Sequence, residues 1–299
     1  MSDGKKRRIK VNLKGVLWRM LPRTARALLT AYLVDRFDRR ALLRFQQTHR
    51  TLMNVERGRS GGVAVIVPCY NHARYLGETF ASLCQQTHRP FEVVFVDDHS
   101  ADDTLPILRR FCQSCPRGIH PTLIQVPRNS GQANAINRGI ASSEASVIMI
   151  LNDDDYLMHD ALEAALEILR LNPDVFLLGA TAVPFSGNGG LNLPESAGLL
   201  IRNSYSDYAA IPLTRYSPAD VRGFAHPNDL NMTHSGSTFF RAAWEVTGGY
   251  YPDKSRRVVS YSDRDFQLRV ASLFPVAVSM AVPFAYWRTD SSVDRGRNS

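Results

Sequence analysis

From residue 63 onward, short apolar runs alternate with amphipathic stretches. Residues 63–67 are continuously apolar and end at Pro68, the pattern of a buried parallel strand. Leu76, Thr79, Phe80, Leu83 and Cys84 then recur at helical spacing. Further strands are predicted over 91–96, 122–126 and 146–151, with helices over 104–111 and up to about Ser142. Ser100 and Asp103 are spaced as a capping box for the helix at 104. Strand and helix alternate once per about 30 residues, which predicts an α/β fold with a mostly parallel, doubly wound sheet.

Beyond residue 155 the pattern loosens. A helix over 161–171 and a strand over 175–180 are clear, but 181–230 is rich in Gly, Pro, Asn and Ser with little periodicity. Such a long loop region is expected to face substrate. A strand over 237–241, a short helix ending at Gly248-Gly249, a helix opening at Asp263 and β segments over 276–280 and 283–287 complete the pattern.

Residues 1–60 read differently. Leu13, Val16, Leu17, Met20 and Leu21 form one amphipathic stripe. After Pro22, Leu28, Leu29, Tyr32, Leu33 and Phe37 form another, with arginines between them. Gly58 to Gly62 reads as a linker. The expected organisation is a helical extension over 1–60 and one domain over 61–299, its halves at 61–160 and 161–299.

Charge sharpens that division. The chain carries a net +8, but residues 1–60 alone carry +12 and the remainder −4. A mildly acidic body argues against a nucleic-acid-binding core. A basic amphipathic arm can lie on an anionic bilayer or pack its apolar face on the body or another subunit. No apolar run approaches the ~20 residues of a membrane span, and no signal peptide is evident. Cys112 and Cys115 form a lone C-x-x-C without a second ligand pair, so free thiols in a reducing, cytoplasmic compartment are expected.

The candidate chemistry centres on Asn152-Asp153-Asp154-Asp155, at the carboxyl end of the strand over 146–151. Ligands bind at such ends in open α/β sheets. Three adjacent carboxylates repel unless a cation or donor groups offset them. A divalent metal holding a diphosphate is one reading; an acidic turn capping the helix that starts near His159 is the other.

Several motifs stand in one order: Val65-Ile66-Val67-Pro68-Cys69-Tyr70-Asn71, Val96-Asp97-Asp98-His99-Ser100, Asn129-Ser130-Gly131-Gln132-Ala133-Asn134 and Leu151-Asn152-Asp153-Asp154-Asp155. Together they resemble the inverting GT-A glycosyltransferases known as family two, over about 63–290. The resemblance implies a metal-dependent transferase acting on a nucleotide-diphosphate sugar, with a UDP-sugar favoured. Pro68, Tyr70 and Asn71 then fall at nucleotide-binding positions, Tyr70 flanking the base. Asp98 would accept the uracil N3–H, although Asp97 could take that role or cap the next helix. Gly131 would let the backbone approach the nucleotide. Asp154, with Asp155 or Asp153, would hold Mg²⁺ or Mn²⁺ against the donor diphosphate.

The chain departs from the family pattern twice: Asn152 stands where an Asp is usual, and Ser262 replaces the usual Glu before Asp263. In the segment Ser262-Asp263-Arg264-Asp265, Asp263 matches the catalytic base, while Asp265 is expected to be structural or acceptor-orienting. Arg288 is expected to pair with phosphate or an acid. Glycan, lipid-linked and protein acceptors are all compatible, and the basic arm favours a location in the cytoplasm or on its membrane face. A sugar-nucleotide-binding protein without transfer is the competing reading. A nucleotidyltransferase would want a glycine-rich, basic phosphate loop where Pro68-Cys69-Tyr70-Asn71-His72 stands.

Overall fold

The computed structural model describes residues 37–51, 61–187, 207–222, 227 and 229–291. The two stripes expected before Phe37, the linker residues up to 60 and parts of the 181–230 region lie outside them. In chain order the elements are α1 (Arg39–Thr48), β1 (Val63–Cys69), α2 (Leu76–Cys84), β2 (Phe91–Asp97), α3 (Thr104–Ser114), β3 (Ile119–Gln125), α4 (Gln132–Ser142) and β4 (Val147–Ile150). Then come β5 (Tyr156–Leu157), α5 (Ala161–Leu171), β6 (Leu177–Ala180), β7 (Ala182–Phe185), β8 (Leu213–Tyr216) and α6 (Pro218–Arg222). The chain closes with β9 (Thr238–Phe240), α7 (Arg241–Thr247), α8 (Ser262–Leu273), β10 (Val276–Ser279) and β11 (Ala285–Arg288).

Eight strands form one sheet in the order β3-β2-β1-β4-β9-β6-β10-β8. The pairs β3–β2, β2–β1, β1–β4 and β6–β10 are parallel. β9 enters antiparallel between β4 and β6, and β8 closes the edge antiparallel to β10. Every residue of β1 and β4 is buried, as expected of strands covered on both faces. α4 lies so close to β1 that a Cβ on Gly139 would stand 2.6 Å from Ile66 Cγ2. A second sheet, β5-β11-β7, lies beyond the acidic turn.

The doubly wound plan is the one predicted. Two strands fell inside the region read as loop. β7 contains Pro184 and sits at a sheet edge, where the missing N–H costs no ladder bond. β8 is an edge strand with a weak apolar signal. The capping box is not formed. Ser100 Oγ accepts from the Asn71 amide instead, and Asp102 Oδ1 takes the Thr104 amide at 3.0 Å.

α1 packs on the body. Gln46 Nε2 donates to Pro218 O (2.7 Å) and Ser272 O (2.8 Å), Arg39 donates to Val221 O, and Leu42 is fully buried. All four cysteines are free, and burial pushes the Cys115 thiol up to about 11. Among the described residues no helix is long and apolar enough to cross a membrane.

Candidate active site

The parallel register brings the carboxyl ends of β1, β2 and β4 together, Cys69 beside Asp97 and Ile66 beside Ile150. The first two loops are tied to each other. Asn71 donates its amide to Ser100 Oγ (3.0 Å) and accepts the Ala101 amide on Oδ1 (2.7 Å). Asn71 and His99 adopt φ of 55° and 66°, which Asn and His tolerate better than most residues. Pro68 is buried within β1, whereas Tyr70 is 45% exposed.

Asp98 is held by the loop that follows β3. It is 3% exposed; Oδ1 accepts from the Ser130 amide (2.8 Å) and hydroxyl (2.9 Å), and Oδ2 from the Gly131 amide (2.7 Å). A carboxylate oxygen takes two donors, so Oδ2 keeps one acceptor position. Asp97 is fully buried and caps no helix: Oδ1 accepts from the Ser100 amide, and Oδ2 has no hydrogen-bond partner among the described residues. Gly131 has φ 84°, and the space where a Cβ would stand is empty to 4 Å. Glycine is needed there for the backbone turn, and the space above it suits a ligand.

The acidic triplet divides into three environments. Asp153 Oδ1 lies 2.8 Å from His72 Nδ1, and Oδ2 accepts from the Tyr70 amide at 3.0 Å. Asp155 points inward: Oδ1 accepts from the Arg288 amide (2.8 Å), and Oδ2 from Ser235 Oγ (2.6 Å) and Asn152 Nδ2 (3.2 Å). Asp154 alone is half-buried with no hydrogen-bond partner for its carboxylate among the described residues. Asp155, expected to face a metal, thus has both carboxylate oxygens engaged by protein donors, whereas Asp154 lies beside Asp153 and His72, one donor atom of each within 4.8 Å of the others. Thr79 Oγ1 bonds both the Asp153 and Asp155 carbonyls, which fixes the turn.

Burial raises the Asp153 carboxyl to about 6, against the His72 contact, and raises Asp155 to about 7, with the neighbouring Asp154 charge adding. For His72 burial lowers the affinity for a proton, but the Asp153 bond and the charges of Asp153 and Asp154 outweigh it, so the net shift is upward. Arg288 is fully buried and meets an acid: it pairs with Glu78 and donates to Asp154 O (3.0 Å) and Gly187 O (2.6 Å).

Asp263 and Asp265 occupy the first turn of α8, where the helix dipole favours acids. Asp263 is half-buried, and no hydrogen bond among the described residues holds its carboxylate. Its charge acts on His234 and Tyr250, both buried, whose side chains meet at 3.2 Å. Burial lowers His234 and raises Tyr250. Asp265 is structural: Oδ2 accepts from Arg269 Nε at 2.9 Å, and Oδ1 accepts the Val258 amide at 2.6 Å.

The motifs did not assign roles to His72, Ser235 or His234. His72 directly follows the Pro68-Cys69-Tyr70-Asn71 motif, which is the only signal that pointed to it. Ser235 and His234 lie just before the strand predicted over 237–241, and only the fold brings Ser235 beside Asp155 and His234 within reach of the Asp263 charge.

The family description "Glycosyl transferase family 2" matches residues 64–232, more than half of the chain. A chondroitin synthase of Escherichia coli is 27% identical over 215 residues, which are 71% of this chain and 27% of that protein. The chain spans a third or less of the length of the first curated relatives it matches. Among solved structures, Staphylococcus aureus TarS 1–349 in complex with UDP superposes with a TM-score of 0.53 at 19% identity, over 76% of this chain and 60% of that one. The mannosyltransferase PcManGT of Pyrobaculum calidifontis, in complex with GDP-Man and Mn²⁺, gives 0.54 at 18% identity, over 91% and 70%. The motif order, the mixed sheet and the acidic turn at its carboxyl edge agree with these matches, and the chain belongs to glycosyl transferase family 2.

Proposed function

We propose that the chain transfers a sugar from a nucleotide-diphosphate donor, a UDP-sugar by preference, to an acceptor hydroxyl, with inversion at the anomeric carbon. The observation that carries this reading is the division of the acidic turn: Asp153 and Asp155 are bound by protein donors, while among the described residues none donates to the Asp154 carboxylate. That donor set fits a divalent ion, since one ligand atom each from His72, Asp153 and Asp154 lie within 4.8 Å of one another. A bound Mg²⁺ or Mn²⁺ would offset charge on the departing diphosphate.

The chain's own residues do the rest. Tyr70 offers an exposed aromatic face to the base. Asp98 holds the turn at Ser130-Gly131 and keeps one acceptor position on Oδ2 for a ring N–H. Asp263 takes the proton from the acceptor hydroxyl as that oxygen bonds to the anomeric carbon and the bond to the diphosphate oxygen breaks. One displacement inverts the centre without a covalent sugar–enzyme intermediate. Assembly of a surface polysaccharide or glycoconjugate on the cytoplasmic side is the setting we infer, supported by the polysaccharide synthase among the relatives.

Calorimetric titration with UDP, GDP and dTDP, each with Mn²⁺ and with EDTA, tests the donor site. Cation-dependent binding of one nucleotide is expected. A folded protein that binds none of them would remove the transferase reading, and one that binds donor but transfers to no acceptor would reduce it to a binding protein.

A further inference from the structure

We propose that His72 is itself a ligand of the divalent cation, so that the site is His72–Asp153–Asp154 and discriminates in favour of Co²⁺ and Mn²⁺ over Mg²⁺. This rests on the cation-dependent reading above and extends it to a ligand that none of the matched motifs supplies.

Three observations carry it. Among the described residues, these three side chains are the one group of His, Cys, Asp or Glu whose donor atoms converge for an ion. His72 Nδ1 and Asp153 Oδ1 stand 2.8 Å apart, and both residues are more than nine-tenths buried. Adjacent ligands at ~2.1 Å from one ion lie about 3 Å apart, so the pair is spaced for an ion as well as for the hydrogen bond it makes. Finally, the donors are held in place from behind. The His72 amide donates to Thr104 Oγ1 (3.1 Å), the Tyr70 amide to Asp153 Oδ2, and Thr79 fixes the backbone of the turn.

The selectivity follows from ligand chemistry. Mg²⁺ takes hard oxygen ligands and keeps its waters, whereas an imidazole nitrogen strengthens binding along the series Mn²⁺, Fe²⁺, Co²⁺. A site of carboxylates alone would lack that preference.

The test uses the full chain and the metals alone. Mn²⁺ is titrated in by electron paramagnetic resonance, with Mg²⁺ and Co²⁺ as competitors, and spin-echo modulation on bound Mn²⁺ reads any imidazole nitrogen. The expected result is a nitrogen signal, displacement of bound Mn²⁺ by Co²⁺ at a much lower concentration than by Mg²⁺, and loss of the signal in His72→Gln. That variant should also bind Mn²⁺ more weakly than the unaltered chain. Mn²⁺ bound without a nitrogen signal would overturn the role of His72 and leave a carboxylate site intact. Failure to bind Mn²⁺ with or without UDP would overturn the cation reading as a whole. Because the nitrogen signal is read on the unaltered chain, a poorly folding His72→Gln would not decide the matter.

Discussion

Ser235 Oγ donates to Asp155 Oδ2 at 2.6 Å and accepts the Asn152 amide at 3.0 Å. Both residues are 2% exposed, so one hydroxyl ties the acidic turn after β4 to the segment before β9 across 80 positions of sequence. Ser235→Ala leaves a buried carboxylate oxygen and a backbone amide each short of a partner. A loss of about 1–3 kcal/mol is expected, read as a lower midpoint in urea denaturation.

The same turn sets a pH dependence. Burial and the neighbouring Asp154 charge raise Asp155 from 3.8 to about 7 in the folded chain, with Ser235, Asn152 and the Arg288 amide opposing. The folded state therefore holds a proton that the unfolded chain has released. The stabilisation is complete below about pH 4 and is lost as pH rises through about 7. Asp153, raised to about 6, and His72, also raised, act in the same direction. In EDTA the melting temperature should fall between pH 5 and pH 8, and Asp155→Asn should flatten that slope. A melting temperature that climbs over this range would contradict the assignment.

Among the described residues no hydrogen bond holds the Asp263 carboxylate. Asp263→Asn should therefore melt with the parent protein while transfer drops by about 10²–10⁴-fold, the usual contribution of a positioned base. Nucleotide binding should be unchanged. Substantial transfer by the folded variant would move the base elsewhere.

Arg269 and Asp265 form a buried ion pair, 1% and 0% exposed at their side chains. Arg269 also donates to Thr247 O and Gly249 O, at 2.7 Å each. Arg269→Met strands Asp265 without its counterion, a change worth about 3–5 kcal/mol. Thermal denaturation should show a large drop, in contrast to the neutral effect at Asp263 two residues away from Asp265.

The parallel half of the sheet was legible because β1, β2 and β4 are short, almost wholly apolar runs flanked by helical spacing. β9 was legible as a strand but not in its direction, since three residues carry no mark of orientation. Its place between β4 and β6 is set by tertiary pairing. That the acidic turn stands at the carboxyl end of β4 could be read from the sequence. The engagement of Asp155 could not, because its donors come from Ser235 and Arg288, 80 and 133 positions away. His72 shows the same limit, as its partner lies 81 positions on. The capping box failed for a local reason: the Ser100 hydroxyl was claimed by the Asn71 loop, a competitor that spacing alone does not reveal.

The late arrival of β9 bears on how the protein is made. Synthesis runs from the amino terminus, and the strands up to β6 leave the ribosome before residues 238–240 exist. Until then β4 presents an unpaired, wholly buried-type apolar edge, with no Arg241 to close the Ala145, Ile140 and Ser143 carbonyls behind it. A nascent or truncated chain ending near residue 180 is expected to leave that edge of β4 without its β9 partner. Premature termination anywhere before β9 should send the product to chaperones and proteases, which makes the last quarter of the chain a condition for the solubility of the first half.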